Sequence, residues 1–162
     1  MRDATLTRDT ASPGATVTRQ QLIERLNEDL SREYQAIIAY VVYSQVLKGA
    51  AYMNIAAELE KHAGEELQHA LIISKHIDYL GGMPSVTPLP VIQSERAEEM
   101  LRADLANEND TIRAYRERVR ECEALGEYAI AEDIREILRQ EQEHQIDLAT
   151  ALGEGAPDLS RR

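Results

Sequence analysis

The chain has 162 residues, 43% of them hydrophobic, enough for one sizeable core but not for two independent ones. Its net charge of −11 attracts cations and argues against a nucleic-acid partner held by a basic surface. No apolar run approaches the roughly 20 residues that span a bilayer, and the lone Cys122 cannot close an internal disulfide, so a soluble, cytoplasmic protein with no membrane partner is expected.

Residues 1–17 are rich in Thr, Ala, Asp and Arg, contain Ser12-Pro13-Gly14 and lack periodicity, so they read as a flexible N-terminal tail. Order is expected from Thr18, a plausible N-cap. Ile23, Leu26, Leu30, Glu33, Ile37, Tyr40, Ser44 and Leu47 then follow at three- and four-residue steps, one stripe of a first helix that Lys48-Gly49 closes. A second stripe runs through Tyr52, Ile55, Leu59, His62, Glu66, His69, Ile73, His76 and Leu80 and stops at Gly81-Gly82. The third helix is expected after Ser94 as N-cap and carries Leu101, Leu105, Glu108, Ile112, Tyr115, Val119 and Cys122 before Gly126 ends it. Ile130, Ile134, Ile137, Glu141, His144 and Leu148 mark the fourth, which fades into a C-terminal tail at residues 153–162.

An all-α domain over residues 18–152 follows, built from four helices each about 40 Å long. Short connections make antiparallel hairpins of the first and second helices and of the third and fourth. Residues 81–94 differ: with Pro84, Pro88 and Pro90 they can extend to roughly 46 Å. That length carries the chain along the bundle and starts the third helix at the opposite end, a single long crossover between helices 2 and 3. Phe and Trp are absent, so Leu, Ile, Ala and Tyr must fill the core.

The two halves carry one pattern. Leu26, Asp29, Leu30, Glu33, Ile37, Ala39 and Tyr40 recur as Leu101, Asp104, Leu105, Glu108, Ile112, Ala114 and Tyr115, and Glu66-x-x-His69 recurs as Glu141-x-x-His144. The offset is 75 for both Glu pairs (108 − 33 and 141 − 66). Glu33, Glu66, Glu108 and Glu141 lie in stripes that otherwise hold Ile and Leu, where an isolated charge costs most. Few basic residues share those stripes apart from histidines, so two divalent cations are the simplest compensation. Each Glu-x-x-His places a carboxylate and an imidazole on one helix face. Oxygen-rich ligation with two imidazoles suits iron or manganese rather than a thiolate zinc site. The plainer reading is that these residues are polar interruptions of a bundle seam.

At these positions the chain resembles the ferritin superfamily, most closely its bacterioferritin-like branch, over about residues 18–152. The resemblance implies a ferritin-like four-helix bundle in which Glu33 and His69 bind one iron, Glu108 and His144 bind the other, and Glu66 and Glu141 bridge them. Tyr40 matches the family tyrosine that hydrogen-bonds a ligand or donates an electron, with a packing role as the alternative; Tyr115, its repeat mate, reads as structural. The implied activity is ferroxidase: dioxygen or hydrogen peroxide oxidises two Fe(II) ions per chain, and ferric product is stored inside a homo-oligomeric cage of 12 or 24 subunits. Because the repeat relates the two halves, similar affinities are expected for the two metals.

Two departures limit the carry-over. The family's haem-binding methionine directly after the bridging Glu is Leu67 here, so no haem is expected by that route. Only 18 residues follow His144, among them Gly153, Gly155 and Pro157, which leaves the family's fifth helix and hence the cage size open. A Dps-like dodecamer that detoxifies iron and peroxide is one alternative, although such proteins usually build their site between subunits. A rubrerythrin-like di-iron peroxidase is another, against which stands the absence of a Cys-x-x-Cys motif. A DNA-protecting protein finds support only in Arg2 and Arg8. Of the remaining residues, His62 reads as a hydrogen-bonded core histidine with a transit ligand as the alternative. Glu65 reads as a solvated glutamate, and His76 and Cys122 as structural.

Overall fold

In the computed structural model, which describes residues 17–160, the chain forms four helices: α1 (Arg19–Val46), α2 (Met53–Tyr79), α3 (Ala97–Ala124) and α4 (Tyr128–Ala151). Among the described residues no strand occurs and no helix is long and apolar enough to cross a membrane. Apart from Val17, which is buried, the expected N-terminal tail lies outside the described residues, Arg2 and Arg8 included.

Thr18 caps α1 as its position suggests: its Oγ1 accepts from the Gln21 N–H, and the Gln21 side chain accepts from the Thr18 N–H, a reciprocal capping box. The α3 boundary departs from expectation. Ser94 is not the cap; the helix begins at Ala97 behind Arg96, and Ser94 Oγ instead accepts from the Arg96 N–H and donates to Glu99. The hydroxyl thus turns the chain two residues earlier, where a backbone donor is within its short reach. A 3-10 turn at Ala50–Tyr52 leads into α2 and takes up Tyr52, the first residue of the expected stripe.

Residues 81–94 run as an extended strap along α1. Asn27 donates to the Met83 carbonyl and accepts from the Ser85 N–H, the Leu89 N–H reaches the Ser31 carbonyl, Gln35 donates to the Pro90 carbonyl, and Tyr43 Oη donates to the Ile92 carbonyl. The α1 partners advance from 27 to 43 as the strap advances from 83 to 92, so the strap travels the helix and α3 starts at its far end. Polar side chains of α1 supply the pairing that a proline-rich segment cannot make for itself. The result is one crossover and a ferritin-like bundle.

The strap leaves α2 through a tight corner. Gly81 has φ +91, and the Gly82 N–H closes onto the Ile77 carbonyl at 2.9 Å, a Schellman-type end. Gly82 is the tighter position, since an added Cβ would sit 2.5 Å from Ile23 Cγ2 and 3.1 Å from Ile77 Cγ2. Neither β-branched neighbour can swing clear. Gly82→Ala is therefore expected to destabilise the fold by about 1–3 kcal/mol through overpacking. Urea unfolding followed by circular dichroism measures it, and an unchanged midpoint would contradict the contact.

The core is divided. One apolar cluster, with Leu22, Leu26, Leu30, Ile73, Ile77, Cys122, Ile130 and Ile134, fills the end holding the α1 N-terminus and α2 C-terminus. A second, with Tyr43, Leu47, Ile55, Leu59, Leu101, Leu105 and Leu148, fills the other end. Between them lies a buried layer of ionisable side chains.

Candidate metal centre

Each helix delivers its part of that layer from mid-length: Glu33 from α1, Glu66 and His69 from α2, Glu108 from α3, and Glu141 and His144 from α4. All six are 3% exposed or less. Because the two Glu-x-x-His pairs span i to i+3, each carboxylate and its imidazole face one point. His69 Nδ1 lies 3.0 Å from Glu66 Oε2, 3.2 Å from Glu141 Oε1 and 3.4 Å from Glu33 Oε2. His144 Nδ1 lies 2.9 Å from Glu66 Oε1, 3.3 Å from Glu141 Oε2 and 3.6 Å from Glu108 Oε1. Two sets of convergent donor atoms result, one from Glu33, Glu66, His69 and Glu141 and one from Glu66, Glu108, Glu141 and His144. They share Glu66 and Glu141, one oxygen of each facing either histidine.

The electrostatics of the cluster are strained. Burial, reinforced by Glu141 and Glu33, holds the Glu66 carboxyl well above its ordinary range, and burial with Glu141 pushes Glu108 up to about 7. Burial also opposes charge on His69 and His144, but carboxylates on every side outweigh it and hold both imidazoles well above their usual value. Glu33 and Glu141 are lowered, burial being outweighed mainly by the histidines. Protons thus do part of the neutralising. They do it incompletely: Glu33 Oε2, Glu66 Oε1, both Glu141 oxygens and His144 Nδ1 are buried without a hydrogen bond. Native interiors rarely leave so many polar atoms unmatched at one point. Oxygen and imidazole ligand atoms that converge on two points, several of them without a hydrogen-bond donor, form a set that could hold divalent cations.

Tyr40 and Tyr115 complete the pseudo-two-fold. Tyr40 Oη donates to Glu108 Oε1, and Tyr115 Oη donates to Glu33 Oε1. Each tyrosine therefore crosses to the terminal carboxylate of the other half, and Tyr115 is placed as Tyr40 is rather than serving packing alone. The repeat already contained that signal, since both tyrosines follow their own glutamate by seven residues.

The outer contacts break the symmetry. His144 Nε2 faces Glu65 Oε2 at 2.8 Å, whereas His69 Nε2 faces Gln140 Oε1 at 2.6 Å. Positions 65 and 140 are repeat mates (140 − 65 = 75) that differ in charge. Glu65 is thus a partner of a centre histidine, not the solvated glutamate that its sequence context predicts. Asp29 and Asp104 are also mates: Arg118 and Arg32 donate to Asp29, while Asp104 Oδ2 is buried without a partner and burial, with Glu108, holds its carboxyl well above the usual range. His76 Nε2 faces Asp133 at 2.8 Å, away from the layer, and Cys122 packs in the apolar end cluster, where burial pushes its thiol up to about 12. A crevice of about 10 Å³, room for one water, opens between α1 and α3 onto all four glutamates, lined by Arg32, Ala36, Asn107 and Thr111. The groove of about 610 Å³ between α1 and the strap contains none of the six.

Comparison with known proteins points the same way. Residues 23–156 match the ferritin-like domain model. The bacterioferritin of Brucella melitensis is 30% identical over 83% of this chain and 88% of its own length, and that of Rhodobacter capsulatus is 31% identical over 78% and 79%. Among solved structures, a ferritin-like, diiron-carboxylate protein from Bacillus anthracis superposes with a TM-score of 0.80 at 32% identity, covering 83% of this chain and 96% of its own.

Proposed function

The chain belongs to the ferritin-like family, with bacterioferritins among its relatives, and from that premise we propose that it is a non-haem ferroxidase and iron-storage protein of the cytoplasm. Fe(II) is the substrate. Glu33 and His69 hold one ion, Glu108 and His144 the other, and Glu66 and Glu141 bridge them, so that dioxygen or hydrogen peroxide meets a pair of reducing ions at once. The observation that carries this reading is the sharing of Glu66 and Glu141 between two four-donor sets. The chain supplies spacing and charge, and Tyr40 and Tyr115 steady the two terminal carboxylates. Manganese satisfies the same donor chemistry.

Ferric product is stored in a homo-oligomeric cage of 12 or 24 copies. Ile38, Val41, Val42 and Val46 on α1 with Leu67 and Leu71 on α2 are exposed, which supports burial against other subunits. Leu67, exposed directly after Glu66, lacks the thioether that would bind haem there. Size-exclusion chromatography combined with aerobic iron loading tests the proposal. A large assembly that oxidises two Fe(II) per chain rapidly and retains many more supports it; a dimer that turns over peroxide and retains no iron identifies a peroxidase instead.

The unequal outer contacts give a further expectation. A carboxylate partner raises the basicity of an imidazole ligand more than an amide does. Glu65→Gln, which makes the outer contacts of the two histidines alike, is expected to weaken the His144-side metal by roughly 10-fold to 100-fold and leave the other step nearly unchanged. Co(II) titration followed by absorption resolves the two steps, and equal affinities in the unaltered protein would contradict the asymmetry.

A further inference from the structure

The crevice between α1 and α3 lies on the pseudo-two-fold that relates the two halves. Its rim consists of two mated pairs, Arg32 with Asn107 (107 − 32 = 75) and Ala36 with Thr111 (111 − 36 = 75), and it opens onto the four glutamates. Of the four rim residues only Arg32 is charged. Its side chain also forms a wall of a surface hollow of about 420 Å³ that holds Glu24 and Glu28. Arg32 therefore stands between an acidic hollow, which gathers cations, and the buried carboxylates that would receive them.

An ion chain holds that side chain in place. Arg32 Nη2 donates to Asp29 Oδ1, Asp29 Oδ2 accepts from Arg118 Nε at 2.8 Å, and Arg118 and Arg25 both donate to Glu121. The repeat mates of Arg25, Arg118 and Glu121 are Met100, Tyr43 and Val46, so the other half of the bundle packs without such a chain. Three guanidiniums against two carboxylates leave one positive charge uncancelled, and a guanidinium does not give up its proton. Arg32 Nε is also buried with no acceptor, which leaves an N–H donor unspent at the crevice.

Size and charge then sort what can pass. The crevice of about 10 Å³ has room for one water. A divalent ion would have to shed its hydration shell and pass a fixed cation where little solvent weakens the repulsion. Dioxygen and hydrogen peroxide carry no charge, and a peroxide oxygen can accept the spare Arg32 N–H.

We propose that Arg32 makes the α1–α3 crevice a port for the neutral oxidant and closes it to Fe(II), so that it is a specificity-determining residue of the centre. The use of the port rests on the ferroxidase reading; the barrier to cations does not.

Stopped-flow Co(II) loading, which needs no oxidant, reads the barrier. Arg32→Gln, at a position whose side chain is 19% exposed, is expected to load roughly 10-fold faster, and Arg32→Lys, which keeps the charge, to recover most of the slow rate. Rapid mixing of anaerobically Fe(II)-loaded protein with hydrogen peroxide reads the port. Ala36→Leu, which fills the crevice without altering charge, is expected to slow that oxidation by roughly 10-fold and to leave Co(II) loading as it is. Asn107→Leu, on the opposite rim, gives the same reading should Ala36→Leu fail to fold. Co(II) loading no faster in Arg32→Gln, or peroxide oxidation at the unaltered rate in both leucine variants, overturns the proposal. Unaltered protein that takes up no Co(II) fails at an earlier step and sinks the two-metal reading together with the selectivity.

Discussion

Glu66→Ala and Glu141→Ala are each expected to slow Fe(II) oxidation by about 100-fold or more while leaving the four helices in place. The reason is positional. Glu66 presents one oxygen 3.0 Å from His69 and the other 2.9 Å from His144, and Glu141 does the same at 3.2 and 3.3 Å. On the proposed assignment neither glutamate would belong to one metal, so losing either would remove a donor from both positions and uncouple the two ions whose joint oxidation the proposal requires. The terminal residues Glu33 and Glu108 lie in only one donor set each and should be less costly to lose. Folding is expected to survive the Glu66 change because burial holds its carboxyl well above the usual range and its Oε1 has no hydrogen-bond partner; Glu141, whose carboxyl is lowered on folding, is the costlier loss, but the apolar clusters at both ends of the bundle stay intact. The Ala variant also leaves a cavity, so Glu66→Gln, which keeps the volume and removes the ligand charge, separates packing from ligation. Stopped-flow absorbance after mixing with Fe(II), with far-UV circular dichroism on the same samples, makes the measurement. Wild-type rates in both Ala variants would sink the bridging assignment.

Much of this layer was legible in the sequence because helices encode it locally. A carboxylate in an Ile/Leu stripe has to face the core, and i to i+3 spacing fixes which histidine accompanies it, so Glu33, Glu66, His69, Glu108, Glu141 and His144 were readable before any contact was known. The strap was readable too, since its prolines exclude helix and its length matches the bundle. What escaped depends on partners distant in the chain. Tyr115 in a stripe looks like core until Glu33, 82 residues away, is placed against its hydroxyl. Asp29 and Asp104 are identical in the repeat, and two arginines tell them apart: Arg32, whose mate is Asn107, and Arg118, 89 residues from Asp29, whose mate is Tyr43. Glu65 lies beside Glu66 on the more exposed face, where nothing local distinguishes a solvated carboxylate from one turned onto His144. Ser94 misled because hydroxyls initiate turns and helices by the same hydrogen bond.

Loading the centre at neutral pH is expected to release about three and a half protons per chain and to weaken by roughly 3000-fold in the overall two-metal constant for each pH unit of acidification. In the apo cluster His69 and His144 are held above their usual value and carry one proton each, Glu66 is held well above the carboxylate range and carries a third, and Glu108, pushed up to about 7, is half protonated. Every one of these must leave before a cation can take its place. The same shifts set how the empty protein responds to pH. The raised histidines contribute stability that is fully present below about 6.5, the unfolded value, and is lost as pH climbs through their folded values. Glu66 and Glu108 act in the same direction: they are neutral in both states below about 4.3, and their burial becomes a growing penalty as the unfolded carboxyls ionise and the pH approaches and passes the folded values. Glu33 and Glu141, lowered on folding, contribute above the ordinary carboxylate range and lose that contribution only in acid. Between about pH 5 and 8 the apo cluster therefore grows less favourable with rising pH while metal binding grows tighter. The gap in Tm between metal-loaded and metal-free protein should widen steadily across that window. Isothermal titration calorimetry with Co(II) in buffers of different ionisation enthalpy counts the protons, and paired thermal melts follow the gap. A count near zero, or a gap that stays constant with pH, would show that cations do not replace these protons and that the layer is a polar seam rather than a metal centre.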